Sequence, residues 1–183
     1  RMATACLQDP EAAFARLSHD YIRQHHEPLP GRKMPTADQI SEGFTQGLRS
    51  FYDGRLGEIL AHPRYRLHVV VSRGRHLLRR EHPVATPLGY AGAFLANTLH
   101  RKALAGWLER VVFSTGEPPR LPFATHDFRT RQVALTEANF FHAVQASCSI
   151  PFALRAVQDI PGAPPGAYWD GGITDYHLHL NYH

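Results

Sequence analysis

The residues best placed to do chemistry are Asp170, Gly171 and Gly172, which directly follow the strand candidate ending in Tyr168 and Trp169. Polar groups just after the carboxyl end of a buried strand project into the crevice where α/β proteins bind ligands. The two glycines let the backbone turn sharply and leave room beside the carboxylate. The pattern therefore predicts a carboxylate that a substrate or a second catalytic group can approach. A tight turn that happens to begin with Asp fits the same three residues.

A second donor set follows Asp170 and contains His177, His179 and His183. Alternate residues of a strand point to the same side, so His177 and His179 would present two imidazoles together. With Asp170 they would form a plausible ligand set for a metal, and a metal-binding hydrolase is an alternative interpretation. An exposed strand face is the simpler structural alternative. No cofactor is expected otherwise.

One dense basic run is formed by Arg73, Arg75, Arg79 and Arg80. Clustered arginines favour an anionic partner, so the run predicts peripheral contact with a membrane surface, unless it is only a solvated face. A non-catalytic module that binds an anionic surface is a further alternative. The charged residues that give the formal net charge of +4 are otherwise spread along the sequence, which argues against a nucleic-acid partner.

Helix and strand patterns alternate along the chain. Helices are predicted after the N-cap residues Asp9, Thr36 and Thr136 and over residues 88–108, and strands over 67–71, 111–113, 132–135, 152–157 and 167–169. Such alternation predicts the α/β class, with a three-layer α/β/α architecture and a mostly parallel central sheet, incomplete in this chain.

Length and composition limit the class of protein. The 183 residues, 43% of them hydrophobic and 20% charged, suit a single domain over 1–183 and exclude a disordered or fibrous chain. Cys6 and Cys148 match neither a disulfide framework nor a zinc-ligand spacing, and they are expected to be buried small side chains. We expect a cytoplasmic or peripheral-membrane location.

Three segments in the second half of the chain occur in a recognisable order. They are Val111 to Glu117, then Ala146-Ser147-Cys148-Ser149-Ile150-Pro151, then Asp170-Gly171-Gly172 with Asp175 five residues after Asp170. In this order and spacing they resemble the patatin-like phospholipase family of serine acyl hydrolases. The resemblance is specific from Val111 to Asp175 and looser before it.

The resemblance implies hydrolysis of an acyl ester by a serine and aspartate dyad that uses no histidine. Asp170 would be the general base, and Gly171, Gly172 and Asp175 would support its turn. The substrate would be a lipid ester or a phospholipid. Its acyl chain would meet an apolar wall for which the candidates are Trp169, Phe140 and Phe141.

The nucleophile that the resemblance requires is missing from these residues. Family members carry the serine in a Gly-x-Ser-x-Gly turn between a strand and a helix, and no serine of this chain lies between two such glycines. We therefore expect the chain to be an N-terminally truncated piece, with the nucleophile turn a short distance before Arg1 and no activity in the piece itself.

Overall fold

The computed structural model describes residues 2–23, 30–31, 33–79, 106–116, 121–151 and 153–175. Within them, α-helices occur at α1 (Pro10–Arg23), α2 (Ala37–Tyr52), α3 (Leu56–Leu60), α4 (Glu137–Ala146) and α5 (Gly172–Asp175). Short 3-10 helices occupy Met2–Cys6 and His76–Arg79.

The three predicted helix starts are confirmed by their capping bonds. Asp9 Oδ1 accepts the N–H of Ala12 at 3.1 Å at the start of α1. Before α2, Thr36 Oγ1 accepts the N–H of Gln39 at 3.3 Å while Gln39 Oε1 accepts the N–H of Thr36 at 3.0 Å. At α4 the Thr136 N–H donates to an asparagine side chain three residues later, at 2.9 Å. These bonds satisfy donors that the first helical turn leaves without partners.

The strands form a five-stranded sheet in the order β3-β2-β1-β5-β4. Their bounds are β1 (His68–Gly74), β2 (Leu108–Ser114), β3 (Thr130–Ala134), β4 (Val157–Gln158) and β5 (Ala167–Asp170). The strand predicted over 152–157 is shorter than expected, since only its last residue, Val157, lies in β4.

The mixture of helices and strands confirms the α/β class, but the strand directions differ from the prediction. Strand β1 is antiparallel to β2 and to β5, and β4 is antiparallel to β5, whereas only β2 and β3 are parallel. The sheet of the described residues is therefore mostly antiparallel. Continuous apolar runs show that a strand is covered on both faces, which is usual in parallel sheets but does not require parallel strands. For β4 and β5 the turn over residues 159–166 returns the chain directly, which makes the pair antiparallel.

Both faces of the central strands are buried. On one face Val71 and Phe113 join the main core with residues of α1 to α4, such as Phe140. On the other face Val70 and Val112 pack with residues of the segment before β3. Helices α1 to α4 contribute to the first core only, so the described residues do not confirm the predicted three-layer arrangement.

Two sequence predictions concern residues that lie largely or wholly outside the described ranges. The helix predicted over 88–108 lies almost entirely outside the described residues, and its last residue, Leu108, begins β2. Arg80 is also outside them. Among the helices that the structure describes, none has the length and apolar character needed to span a bilayer.

Candidate functional site

Asp170 ends β5 and is fixed by the segment that follows α4. Its N–H donates to the carbonyl oxygen of Ser149 at 3.0 Å, and it lies opposite Val71 of β1 in the antiparallel register. The side chain of Ser149 is itself held, because its Oγ donates to the Gln145 carbonyl at 2.9 Å. The fold thus brings together the Ala146–Pro151 segment and the Asp170 turn, which are about twenty residues apart in sequence.

The two glycines after Asp170 do different things. Gly172 donates its N–H to Asp170 Oδ1 at 2.6 Å, which orients the carboxylate. Gly171 lies against β1 so closely that an added Cβ would stand 2.3 Å from the carbonyl oxygen of Val70. The close approach of two backbones is one reason a chain needs glycine, so the predicted role of this pair as a supporting turn agrees with its geometry.

A cavity of about 640 Å³ opens beside Asp170. This volume is within the range of small-molecule sites, roughly 300–1,000 Å³. Much of the cavity lining is apolar and includes Phe14, Leu17, Tyr21, Ile22, Phe44, Leu48, Tyr52 and Val144. The same lining carries polar groups, among them His68, Ser147, Cys148, Asp170 and Asp175.

The cavity environment changes the acid strength of Asp170. The carboxylate is half-buried, and this burial raises the pKa of Asp170 above its ordinary value, while the bond from Gly172 opposes the rise. Among the described residues no ion pair reaches Asp170. A carboxylate that is partly buried, oriented by one donor and not neutralised by a cation is a better proton acceptor than a fully solvated one.

His68 lies in the lining of the same cavity, and sequence inspection did not select it. Its Nδ1 is 2.8 Å from Ser114 Oγ, and burial lowers the pKa of His68, which favours the neutral imidazole. Cys148 also lines the cavity and is exposed, contrary to the expectation of a buried thiol, whereas Cys6 is buried as predicted.

Asp175 is at the edge of the cavity but its carboxylate is engaged. Arg110 binds both of its oxygens, with Nε to Oδ2 at 2.6 Å and Nη2 to Oδ1 at 2.7 Å. Asp175 is 6% exposed and Arg110 is fully buried, so the pair is an internal one. Asp175 therefore supports the turn rather than presenting a reactive group. Arg110 could have been found from the sequence, because a charged residue directly before the buried run at Val111 needs an internal partner.

The three aromatic residues predicted as a substrate wall do not line this cavity. Trp169 and Asp170 are neighbours in β5 and therefore point to opposite faces of the sheet. Phe140 and Phe141 are in the core, where Phe140 packs edge to face on Tyr52 with ring centroids 5.5 Å apart. Tyr52 lines the cavity, whereas the two phenylalanines are core residues that do not line it.

The basic run is at the other end of β1 from the part that lines the cavity. Arg73 is mostly buried, donating to Glu109 at 2.8 Å and to the carbonyl oxygen of Pro165. Arg75 is half-buried and Arg79 is exposed. Arg73 is thus committed to internal bonds, and contact of the run with a membrane stays a prediction.

The metal alternative depends on residues outside those described, since His177 and His179 both lie in the range 176–183. No group of three or more potential metal ligands occurs in the part of the chain that the structure describes. Comparison of the chain with protein-family models, with curated proteins and with solved structures gives no match.

Proposed function

We propose that this chain is part of a serine acyl-ester hydrolase of the patatin-like type and that Asp170 is its general base. The observation that carries the proposal is the half-buried carboxylate of Asp170 on the wall of a largely apolar cavity, with one oxygen oriented by Gly172. Contact between the Ala146–Pro151 segment and the Asp170 turn adds support. The three-layer α/β/α architecture is part of the same proposal.

In this mechanism the nucleophile is a serine outside the 183 residues, in a Gly-x-Ser-x-Gly turn. Asp170 accepts the serine proton as the serine oxygen attacks the carbonyl carbon of the ester. The proton then passes to the oxygen of the leaving alcohol, and an acyl-enzyme remains. Asp170 next accepts a proton from the water that attacks the acyl-enzyme and passes it to the serine oxygen as the acyl–oxygen bond breaks, which releases the acid and restores the serine.

The substrate class follows from the lining of the cavity. The apolar side chains of α1 and α2, including Leu17 and Leu48, suit an acyl chain, and the presence of Asp170 in the same lining supports a role for it next to the ester. Burial of each methylene contributes roughly 0.8 kcal/mol, so chain length is expected to govern affinity. The proposed substrates are accordingly esters of medium or long acyl chains, including lipids.

The decisive experiment is Asp170→Asn in a longer polypeptide that includes the nucleophile turn. We expect kcat for a p-nitrophenyl acyl ester to fall by roughly 10²-fold or more, because loss of a general base typically removes that factor. Asp38→Asn is the matched control, since its carboxylate is 68% exposed and pairs with Arg155. Normal turnover by a folded Asp170→Asn protein would overturn the proposal.

A binding test needs no nucleophile. Cys148 lines the cavity and is exposed, whereas Cys6 is buried, so a thiol reagent should label Cys148 first. A long-chain alkylphosphonate that occupies the cavity should slow this labelling, and methylphosphonate should not. Equal labelling rates with both compounds would show that the cavity does not take an acyl chain.

A further inference from the structure

Arg110 is a buried residue of the sheet whose three guanidinium nitrogens all donate hydrogen bonds. It is fully buried in β2 and binds Asp175 through two hydrogen bonds of 2.6 and 2.7 Å. On its other side it binds Asp127 at 3.1 and 3.0 Å and the hydroxyl of Thr130 at 2.9 Å. A guanidinium held by two bidentate carboxylates has a fixed position and orientation.

The bonds to Asp175 fix the end of α5. The N–H of Asp175 donates to the Gly171 carbonyl at 2.9 Å, and the N–H of Thr174 donates to the same oxygen at 3.1 Å. The hydroxyl of Thr174 is 3.2 Å from Ser72 Oγ of β1. The single turn of α5 is therefore tied to two neighbouring strands through its last two side chains.

The beginning of the same turn holds Asp170. The N–H of Gly172, the first residue of α5, is the donor to Asp170 Oδ1, and it is 2.6 Å away. Because α5 is only one turn long, displacement of its last residue displaces this donor as well. The buried arginine and the cavity carboxylate are thus joined by one short and continuous set of bonds.

We propose that Arg110 is a positioning residue for Asp170, acting through Asp175 and the Gly171-Gly172 turn. The catalytic meaning of this inference rests on the proposed function, whereas the link between the two side chains does not. Arg110 itself does not line the cavity, so its effect passes through the turn.

The proposal predicts a change in the titration of Asp170. Loss of the Gly172 bond removes an interaction that favours the carboxylate, so the pKa of Asp170 should rise when the turn is released. The other titratable groups that line the cavity are His68 from β1, Cys148 after α4, Asp175 from α5, Tyr21 from α1 and Tyr52 from α2. Their titrations must be followed together with that of Asp170.

The experiment is a carboxyl ¹³C NMR titration of the 183-residue chain, comparing wild type with Asp175→Asn and Asp127→Asn. Both variants remove one carboxylate from Arg110, but only Asp175 belongs to the turn. We expect the Asp170 midpoint to move upward in Asp175→Asn and to stay unchanged in Asp127→Asn. A purely structural role of Arg110 predicts no difference between the two variants, and this result would overturn the proposal.

A milder variant covers the case in which Asp175→Asn does not fold. Ser72→Ala removes only the hydroxyl that faces Thr174, and it should move the Asp170 midpoint in the same direction by a smaller amount. Folding of every variant is checked by circular dichroism. An unchanged midpoint in folded Ser72→Ala, with Asp175→Asn unfolded, would count against the inference.

Kinetics in the longer polypeptide separate this inference from the proposed function. Asp175→Asn should lower kcat roughly tenfold to a hundredfold with little change in KM, as expected for a displaced catalytic group. If the Asp170 midpoint moves but Asp170→Asn retains full ester hydrolysis, the function fails and the positioning role stands. If Asp170→Asn is inactive and the Asp170 midpoint does not move, the proposed function stands and the positioning role of Arg110 fails.

Discussion

Two aspartates five residues apart in this protein have opposite surroundings. Asp175 faces Arg110 in the interior of the sheet, and both of its oxygens accept bonds from the guanidinium. Asp170 faces an apolar cavity and accepts one bond from the Gly172 backbone, with no ion pair among the described residues. One carboxylate is neutralised and the other is kept available.

The difference shows how the end of a strand can hold a reactive carboxylate without pairing it with a cation. A buried charge that is paired and hydrogen-bonded fixes its surroundings but has little capacity to accept a proton. A half-buried carboxylate without a cation is energetically unfavourable and is typical of functional sites. In this chain the paired aspartate stabilises the turn that carries the unpaired one.

The largest expected effect comes from removing the arginine that neutralises Asp175. Arg110→Met leaves two carboxylates without their cation, and we expect the free energy of unfolding to fall by about 3–5 kcal/mol. Arg129→Met is the control, because Arg129 is 54% exposed and should contribute less than about 1 kcal/mol. Urea denaturation measures both. Similar losses of unfolding free energy in the two variants would mean that the buried bonds of Arg110 contribute no more to stability than the exposed bond of Arg129.

A smaller effect is expected at the junction between the two aspartates. In Gly171→Ala the new Cβ would meet the Val70 carbonyl oxygen, a backbone atom that cannot turn away. We expect a loss of about 1–3 kcal/mol in stability. Gly47→Ala is the control, since this exposed position in α2 has open space and alanine favours helix by up to about 1 kcal/mol. A neutral Gly171→Ala would show that β1 and the turn can separate freely.

The smallest effect is expected at Asp170 itself. Because burial raises the pKa of Asp170 in the folded protein, its contribution to stability is present below the pKa of the unfolded chain, about 3.9, and is lost as pH rises through the folded value. Asp170→Asn should therefore be more stable than wild type at pH 7, with no difference below about pH 4. Thermal unfolding across this pH range measures the difference, and a less stable variant at pH 7 would contradict the assignment.

Local signals in the sequence were sufficient for most helix starts and strands. Asp9, Thr36 and Thr136 marked helix starts because capping is decided within four residues. The strand at Val111 was evident from its apolar run. Strand direction was not, because hydrophobic patterns record burial and not the path of the chain between strands.

The candidate site divides in the same way. The sequence by itself determined that Asp170 ends a strand and that Gly171 and Gly172 permit a sharp turn, since both depend on neighbouring residues. Only the tertiary structure decided that Arg110 neutralises Asp175, that His68 and Tyr52 line the cavity, and that Trp169 points away from it. These relations join residues that are far apart in the chain or on opposite faces of a strand. They depend on strand order and register, which no short sequence pattern specifies.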